Sequence, residues 1–108
     1  MPFIPPLPNA ALGIAFLIAT SANASAANIQ QGQRLAGLYC ASCHATDRVS
    51  PSPLSIAPPF RDLHKKYPVD TLEEALGEGI MTGHPTMPQF QFDPDQIADF
   101  LAFLKTLE

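Results

Sequence analysis

Two cysteines and a histidine lie together in the segment Cys40-Ala41-Ser42-Cys43-His44, and no other residues of the chain are so clearly grouped for chemistry. The pattern C-x-x-C-H is typical of an attachment site for a c-type haem. Its spacing places both thiols on one side of a tight helical turn, where they can add to the two vinyl groups of a porphyrin. The imidazole that follows can then bind the iron. Since the chain contains only two cysteines, both are used in this motif.

Three other interpretations of the cysteine pair fit less well. A structural disulfide does not explain why a histidine follows the second cysteine. A thioredoxin-like redox pair needs an apolar strand before the motif, whereas residues 30–39 have a helical pattern. A zinc site needs two more ligands at metal spacing, and His64 and His84 lie too far apart to supply them. The motif therefore favours covalent haem.

The first part of the chain resembles an export signal. Residues 10–20 form a short apolar run, followed by small residues with Ala-x-Ala cleavage sites at Ala24 or Ala26 and a weaker site at Ala27. The run is shorter than the roughly 20 residues that span a bilayer. We therefore predict a signal peptide over residues 1–26, one mature domain over residues 27–108, and export to the periplasm. Because residues 1–9 lack Lys and Arg, an uncleaved membrane anchor is the alternative.

The charge of the chain limits the classes of partner. The formal net charge is −4, and all six basic and ten acidic residues follow Asn28. Nucleic-acid binding needs a basic face, so we expect no nucleic-acid partner and no attraction to an anionic membrane surface. Membrane association is expected only if the N-terminal segment stays uncleaved.

Helix start signals mark the two ends of the predicted domain. Asn28 is a candidate cap for a helix over residues 29–40, with Gln31 in a box-like arrangement. Asp93 and Pro94 are typical of the cap and first position of a last helix, which has an apolar stripe at helical spacing. No segment alternates for long enough to be a strand. These patterns predict an all-α fold.

Two further helices are predicted between these ends. A short helix is expected over residues 60–67, ended by Pro68. Another is expected to start at Asp70, with Glu73 at capping-box spacing and an apolar stripe that reaches Ile80. Residues 45–59 are too rich in proline for a helix or a central strand.

Met87 is the preferred candidate for a second iron ligand. Pro88 holds Met87 in an extended backbone state, which fixes the direction of its thioether. Met81 is interpreted as a core-filling residue of the third helix. His84 is interpreted as a loop residue near the haem edge, and His64 as a solvated helix residue.

The chain resembles the class I cytochromes c, in particular the small bacterial members with a single haem. The resemblance covers nearly all of the predicted mature domain. It rests on the segment Cys40–His44, on Met87-Pro88-x-Phe90 shortly before the last helix, and on residues 57–63 between them. It implies a small all-α fold in which three to four helices surround one covalently bound haem c.

The resemblance also implies a role for each residue of the motif. Cys40 and Cys43 would form the thioethers to the haem, His44 would be the proximal iron ligand, and Met87 the distal one. The carbonyl of Pro58 would accept a hydrogen bond from His44 Nδ1, which makes the iron-bound nitrogen a better donor.

Less specific expectations concern helix packing and the haem propionates. Gly32 resembles the family's close-contact glycine, where the first helix would cross the last at Phe100 and Phe103. Arg61 and Tyr67 are candidate partners of the propionates, although no motif identifies them.

The function that we predict is one-electron transfer by a His/Met-ligated haem, with no catalytic residues and no small-molecule substrate. Redox proteins would dock transiently at the haem edge. One alternative is a dedicated electron-accepting cytochrome subunit of a periplasmic dehydrogenase. Another is a haem catalyst or gas sensor with an open sixth iron position, which the presence of Met87 disfavours.

Overall fold

A computed structural model of the chain describes residues 2–6, 13, 26–80 and 86–108. This part contains three α-helices, two 3₁₀ helices and no β-strand, which confirms the predicted all-α class. In chain order the elements are α1 (Ile29–Tyr39), a 3₁₀ helix (Phe60–Lys65), a second 3₁₀ helix (Val69–Thr71), α2 (Leu72–Glu78) and α3 (Pro94–Lys105). No helix among these residues is long and apolar enough to cross a membrane.

Side-chain caps define the starts of α1 and α3. The Asn28 side chain accepts a hydrogen bond from the Gln31 backbone N–H at 3.0 Å. At α3, Asp93 accepts from the Gln96 N–H at 2.8 Å, and the Gln96 side chain accepts from the Asp93 N–H at 3.1 Å. Both caps satisfy N–H groups that have no partner within the helix. Both helices start where the sequence predicts, and α1 ends one residue early, at Tyr39.

α1 crosses α3 at Gly32, and together they form the centre of the core. A β-carbon at position 32 would lie 2.8 Å from the Phe103 β-carbon and 2.6 Å from the Asp99 carbonyl carbon. Such distances require a residue without a side chain. The expected contact with Phe103 is therefore present, whereas the nearest backbone is Asp99 rather than Phe100. The core includes Leu35, Ala36, Phe60, Leu63, Leu76, Phe92, Ile97, Phe100, Leu101, Phe103 and Leu104.

The middle of the chain differs from the prediction in two ways. The segment after Pro59 is a 3₁₀ helix that ends at Lys65, two residues before the predicted end. The capping box predicted at Asp70 is wrong, because Asp70 lies inside a 3₁₀ turn and its carboxylate pairs with Lys105 Nζ at 2.7 Å. α2 starts later, at Leu72, and has no side-chain cap.

The end of α2 also corrects the predicted apolar stripe. α2 stops at Glu78 because Gly79 takes a φ of 102°, a left-handed backbone state that glycine adopts readily. Ile80 therefore lies outside the helix. Its N–H donates to the Phe90 carbonyl at 2.8 Å in an isolated antiparallel bridge.

The proline-rich segment 45–59 is irregular, as predicted, and is held by side-chain hydrogen bonds. Asp47 accepts from the Ser50 N–H and hydroxyl, both at 2.6 Å. Arg61 donates to the Ser50 carbonyl at 2.7 Å and to the Asp47 carbonyl at 3.3 Å. Arg48 donates to the Thr106 carbonyl, which ties the segment to the end of α3.

Candidate functional site

One cavity of about 670 Å³ brings together the predicted haem-attachment cysteines, the two predicted iron ligands and the proline predicted to accept the histidine hydrogen bond. Those residues are Cys40, Cys43, His44, Pro58 and Met87. The rest of its wall is mainly apolar and comes from every helical element except the Val69–Thr71 turn. Apolar side chains of the wall include Leu54, Ile56, Phe60, Leu63, Leu72, Leu76, Ile80, Phe90, Phe92 and Phe100.

The turn after α1 places the two thiols and the imidazole at the cavity. The N–H groups of Cys43 and His44 both donate to the Cys40 carbonyl, at 3.2 and 2.9 Å. This one tight turn follows the last residue of α1 directly, so the helix fixes its position. The two sulfurs are not joined in a disulfide.

The environment of Cys40 disfavours thiol–disulfide chemistry. Burial raises the pKa of the Cys40 thiol to about 12. Because the thiolate is the nucleophile in disulfide exchange, a protonated, partly buried thiol is a poor reagent for that reaction. The same burial brings the sulfur to the apolar wall of the cavity, where a thioether is well accommodated.

Two contacts hold the ring of His44. Its Nδ1 lies 2.8 Å from the Pro58 carbonyl oxygen, the contact that the family resemblance implies. Its ring packs against Phe60, with centroids 4.9 Å apart and planes inclined by 32°. Since a carbonyl can only accept, Nδ1 carries the proton, and in the neutral imidazole Nε2 is then the nitrogen whose lone pair can bind a metal.

Met87 reaches the cavity from the segment that precedes α3. It is partly buried, and its neighbours Thr86 and Pro88 also line the cavity. The other two candidates close in sequence, Met81 and His84, lie outside the described residues. His64 is exposed and does not line the cavity, in agreement with its interpretation as a solvated residue.

A series of aromatic rings surrounds part of the cavity, and the sequence analysis did not identify it. Neighbouring centroids are 4.9 to 6.0 Å apart, and most of the ring pairs are edge-on or steeply tilted. In order of contact the rings are His44, Phe60, Phe100, Phe92, Tyr39 and Phe90. All of them line the cavity. The available signals were the positions of Tyr39 just before Cys40 and of Phe60 two residues after Pro58.

Lys66 and Tyr67 give the cavity a polar portion. Both line it, and partial burial raises the pKa of the Tyr67 hydroxyl. Arg61 does not line the cavity, because its guanidinium is bound to the backbone of segment 45–59. Tyr67 is therefore placed as expected for a propionate partner, whereas Arg61 is not, and Lys66 was missed.

The residues present fit a covalently bound haem. The volume lies within the roughly 300–1,000 Å³ typical of cofactor and ligand pockets, and the walls are predominantly apolar. Two thiols at C-x-x-C spacing, an oriented imidazole and a thioether all reach this space. A lysine and a tyrosine are available for anionic substituents.

Comparison with known proteins agrees with this chemistry. Residues 29–108 match the family model described as Cytochrome c. Among curated proteins, Cytochrome c-552 of Bradyrhizobium diazoefficiens is similar to this chain, with 29% identity over 98 residues, 88% of this chain and 92% of the relative. No solved structure matches the chain significantly.

Proposed function

The chain belongs to the cytochrome c family, and we propose that it carries single electrons with His44 and Met87 as the iron ligands. Members of this family bind haem c covalently and are generally electron carriers rather than enzymes. The observation that carries the proposal is the shared cavity of Cys40, Cys43, His44 and Met87. A vacant sixth position, which a haem catalyst or gas sensor would need, is not expected with Met87 in the wall.

Each protein group has a defined task in this proposal. When bound, haem supplies an iron centre that gains and loses one electron. Cys40 and Cys43 would hold it through two thioethers. The Pro58 carbonyl keeps the proton on His44 Nδ1, so that Nε2 is the more basic donor. The soft thioether of Met87 favours the reduced metal, which supports a fairly high reduction potential.

The polar portion of the cavity has a task as well. We assign Lys66 and Tyr67 to the carboxylates of the haem, since both line the cavity. The mainly apolar remainder of the wall excludes water from the space around the ligands. A low dielectric environment of this kind is one means by which proteins tune reduction potential.

Absorption spectroscopy of the haem-loaded protein tests the ligand assignment. The reduced protein should show a sharp c-type α-band, and the oxidised protein the weak far-red band of methionine-to-iron(III) ligation. Met87→Ala should lose the far-red band and keep covalent haem, whereas the matched variant Met81→Ala should keep both. A high-spin spectrum of the unmodified protein would contradict the His44/Met87 assignment, and a chain without covalent haem would contradict the proposal as a whole.

We also propose that the protein works on the outer side of the cytoplasmic membrane, in the periplasm, and that its partners are redox proteins that dock transiently. The support is the short apolar run and the small residues at Ala24 to Ala27. Apart from residue 13, the run lies outside the described residues, and so does Ala24. Cell fractionation followed by N-terminal sequencing tests this, and a cytoplasmic protein that retains residue 1 would refute it.

A further inference from the structure

Tyr39 joins the two sides of the cavity although it is partly open to solvent. It is the last residue of α1 and directly precedes Cys40, and 46% of its surface is exposed. Its ring nevertheless packs against two rings from the segment that follows Met87. The centroid distances are 6.0 Å to Phe90 and 5.8 Å to Phe92, with planes inclined by 61° and 58°.

Among the described residues, few hydrogen bonds attach the segment that carries Met87 to the rest of the fold. Between described residues, a single hydrogen bond ties residues 86–90 to the rest of the fold. It runs from the Ile80 N–H to the Phe90 carbonyl, at 2.8 Å. Pro88 has no N–H to donate, and Thr86 is exposed. Packing against side chains must therefore contribute much of what holds Met87 at the cavity.

We propose that Tyr39 is a positioning residue for the iron ligand Met87. Its ring contacts hold the segment that carries Met87 against the turn that carries Cys40. The proposal rests on the function proposed above. Phe90 lies three residues after Met87, and the main chain of Tyr39 continues directly into the turn that holds Cys40. Contact between these rings thus sets the separation of the two cavity walls from which the thioethers and the methionine sulfur approach.

The test is competition between Met87 and imidazole as an external iron ligand in the oxidised, haem-loaded protein. Imidazole binds only when the methionine sulfur leaves, so its apparent affinity measures how firmly Met87 is held. One edge-on and one tilted aromatic contact are lost in Tyr39→Ala, and we expect imidazole to bind about tenfold more tightly. Tyr39→Phe keeps both ring contacts and should bind imidazole within about twofold of the unmodified protein.

A neighbour supplies the matched control. Leu38 belongs to the same helix, is 69% exposed and does not line the cavity. Leu38→Ala should therefore leave the imidazole affinity unchanged. If Leu38→Ala and Tyr39→Ala increase the affinity equally, general loosening of α1 is responsible and the proposal is wrong.

A second variant removes the other half of the contact without altering the haem attachment turn. Phe90→Ala should also increase imidazole affinity, and the double variant with Tyr39→Ala should increase it by less than the product of the two. Phe90→Ala alone keeps the test valid if Tyr39→Ala fails to attach haem.

Imidazole affinity and the far-red methionine band together distinguish a wrong role for Tyr39 from a wrong assignment of Met87. Unchanged affinity in both Tyr39→Ala and Phe90→Ala, in a protein with the far-red methionine band, overturns the role of Tyr39 alone. An unmodified protein without that band refutes Met87 ligation, and the role of Tyr39 with it.

Discussion

The close approach of α1 and α3 at Gly32 makes Gly32→Ala a severe test of the fold. An alanine β-carbon would lie 2.6 Å from the Asp99 carbonyl carbon, whereas ordinary contact begins at 3.4 Å. Because the obstacle is helical backbone, it cannot rotate away as a flexible side chain could. The two helices must separate by at least about 0.8 Å, the difference between these distances, because the Asp99 carbonyl oxygen lies closer still than its carbon. A gap of that size forfeits a quarter to a half of the dispersion energy of the affected contacts.

The expected loss of stability is about 2 kcal/mol. Overpacking costs about 1–3 kcal/mol of stability and occasionally more. Because the obstacle at position 32 is backbone, we expect a cost near the upper end of that range. The higher helix propensity of alanine returns up to about 1 kcal/mol. For a domain of this size the Tm should fall by about 8–16 °C. Guanidinium unfolding of the haem-loaded protein, followed by circular dichroism, measures the free energy of unfolding directly.

Gly37 on the same helix provides the matched control. It is exposed, and a β-carbon there would have nothing within 4 Å. Gly37→Ala should therefore stabilise the protein by up to about 1 kcal/mol through helix propensity alone. If Gly32→Ala unfolds at the same denaturant concentration as Gly37→Ala, the argument from the helix crossing is refuted.

Three further predictions concern the loop, the last helix and the cavity. Hydrogen bonds to Asp47, the one from the Ser50 hydroxyl first among them, lower the pKa of its carboxyl from 3.8 to about 2. The stability that the Asp47 carboxylate contributes is therefore complete above pH 3.8 and disappears as the pH falls towards 2. Ser50→Ala should move the Asp47 titration, followed by NMR, back towards 3.8, and an unmoved titration contradicts the assigned cause. Asp93→Ala removes the α3 cap and should cost about 1 kcal/mol in chemical unfolding, so a loss near zero would show that the cap is redundant. Lys66→Met should lower the midpoint potential in spectroelectrochemical titration, because the loss of a positive charge near the haem favours the oxidised state. The control Lys65→Met removes a charge outside the cavity and should lower the potential by less. Equal shifts would contradict the placement of Lys66 at the cavity.

Features set by neighbouring residues were predictable from the sequence. The caps at Asn28 and Asp93 depend on bonds to residues three positions later, and the C-x-x-C-H motif depends on one turn. The irregular segment up to Pro59 and the end of the 3₁₀ helix before Pro68 follow from proline's own geometry, although that helix ends two residues earlier than predicted. In each case the interacting groups lie within one turn of the chain, so residue type and spacing are sufficient.

Several features that depend on distant partners were not predictable from local patterns. Asp70 has the spacing of a capping residue, but Lys105 of α3 takes its carboxylate. Arg61 is a plausible propionate partner by type, but the carbonyls of segment 45–59 occupy its guanidinium. The contact of Tyr39 with Phe90 likewise forms only when the two ends of the domain come together. No local pattern encodes which of several available partners a side chain meets.

One hydrogen bond described by the structure bears on the order of folding events. The Asn28 backbone N–H donates to Asp99 Oδ1 at 2.7 Å, across 71 residues of chain. Closing a loop of that length costs about 4 kcal/mol of chain entropy before any contact between α1 and α3 is formed. High sequence separation of this kind slows folding. We therefore expect α1 to pack against α3 late in folding, which leaves the cysteine turn after α1 accessible to thioether formation until that contact forms.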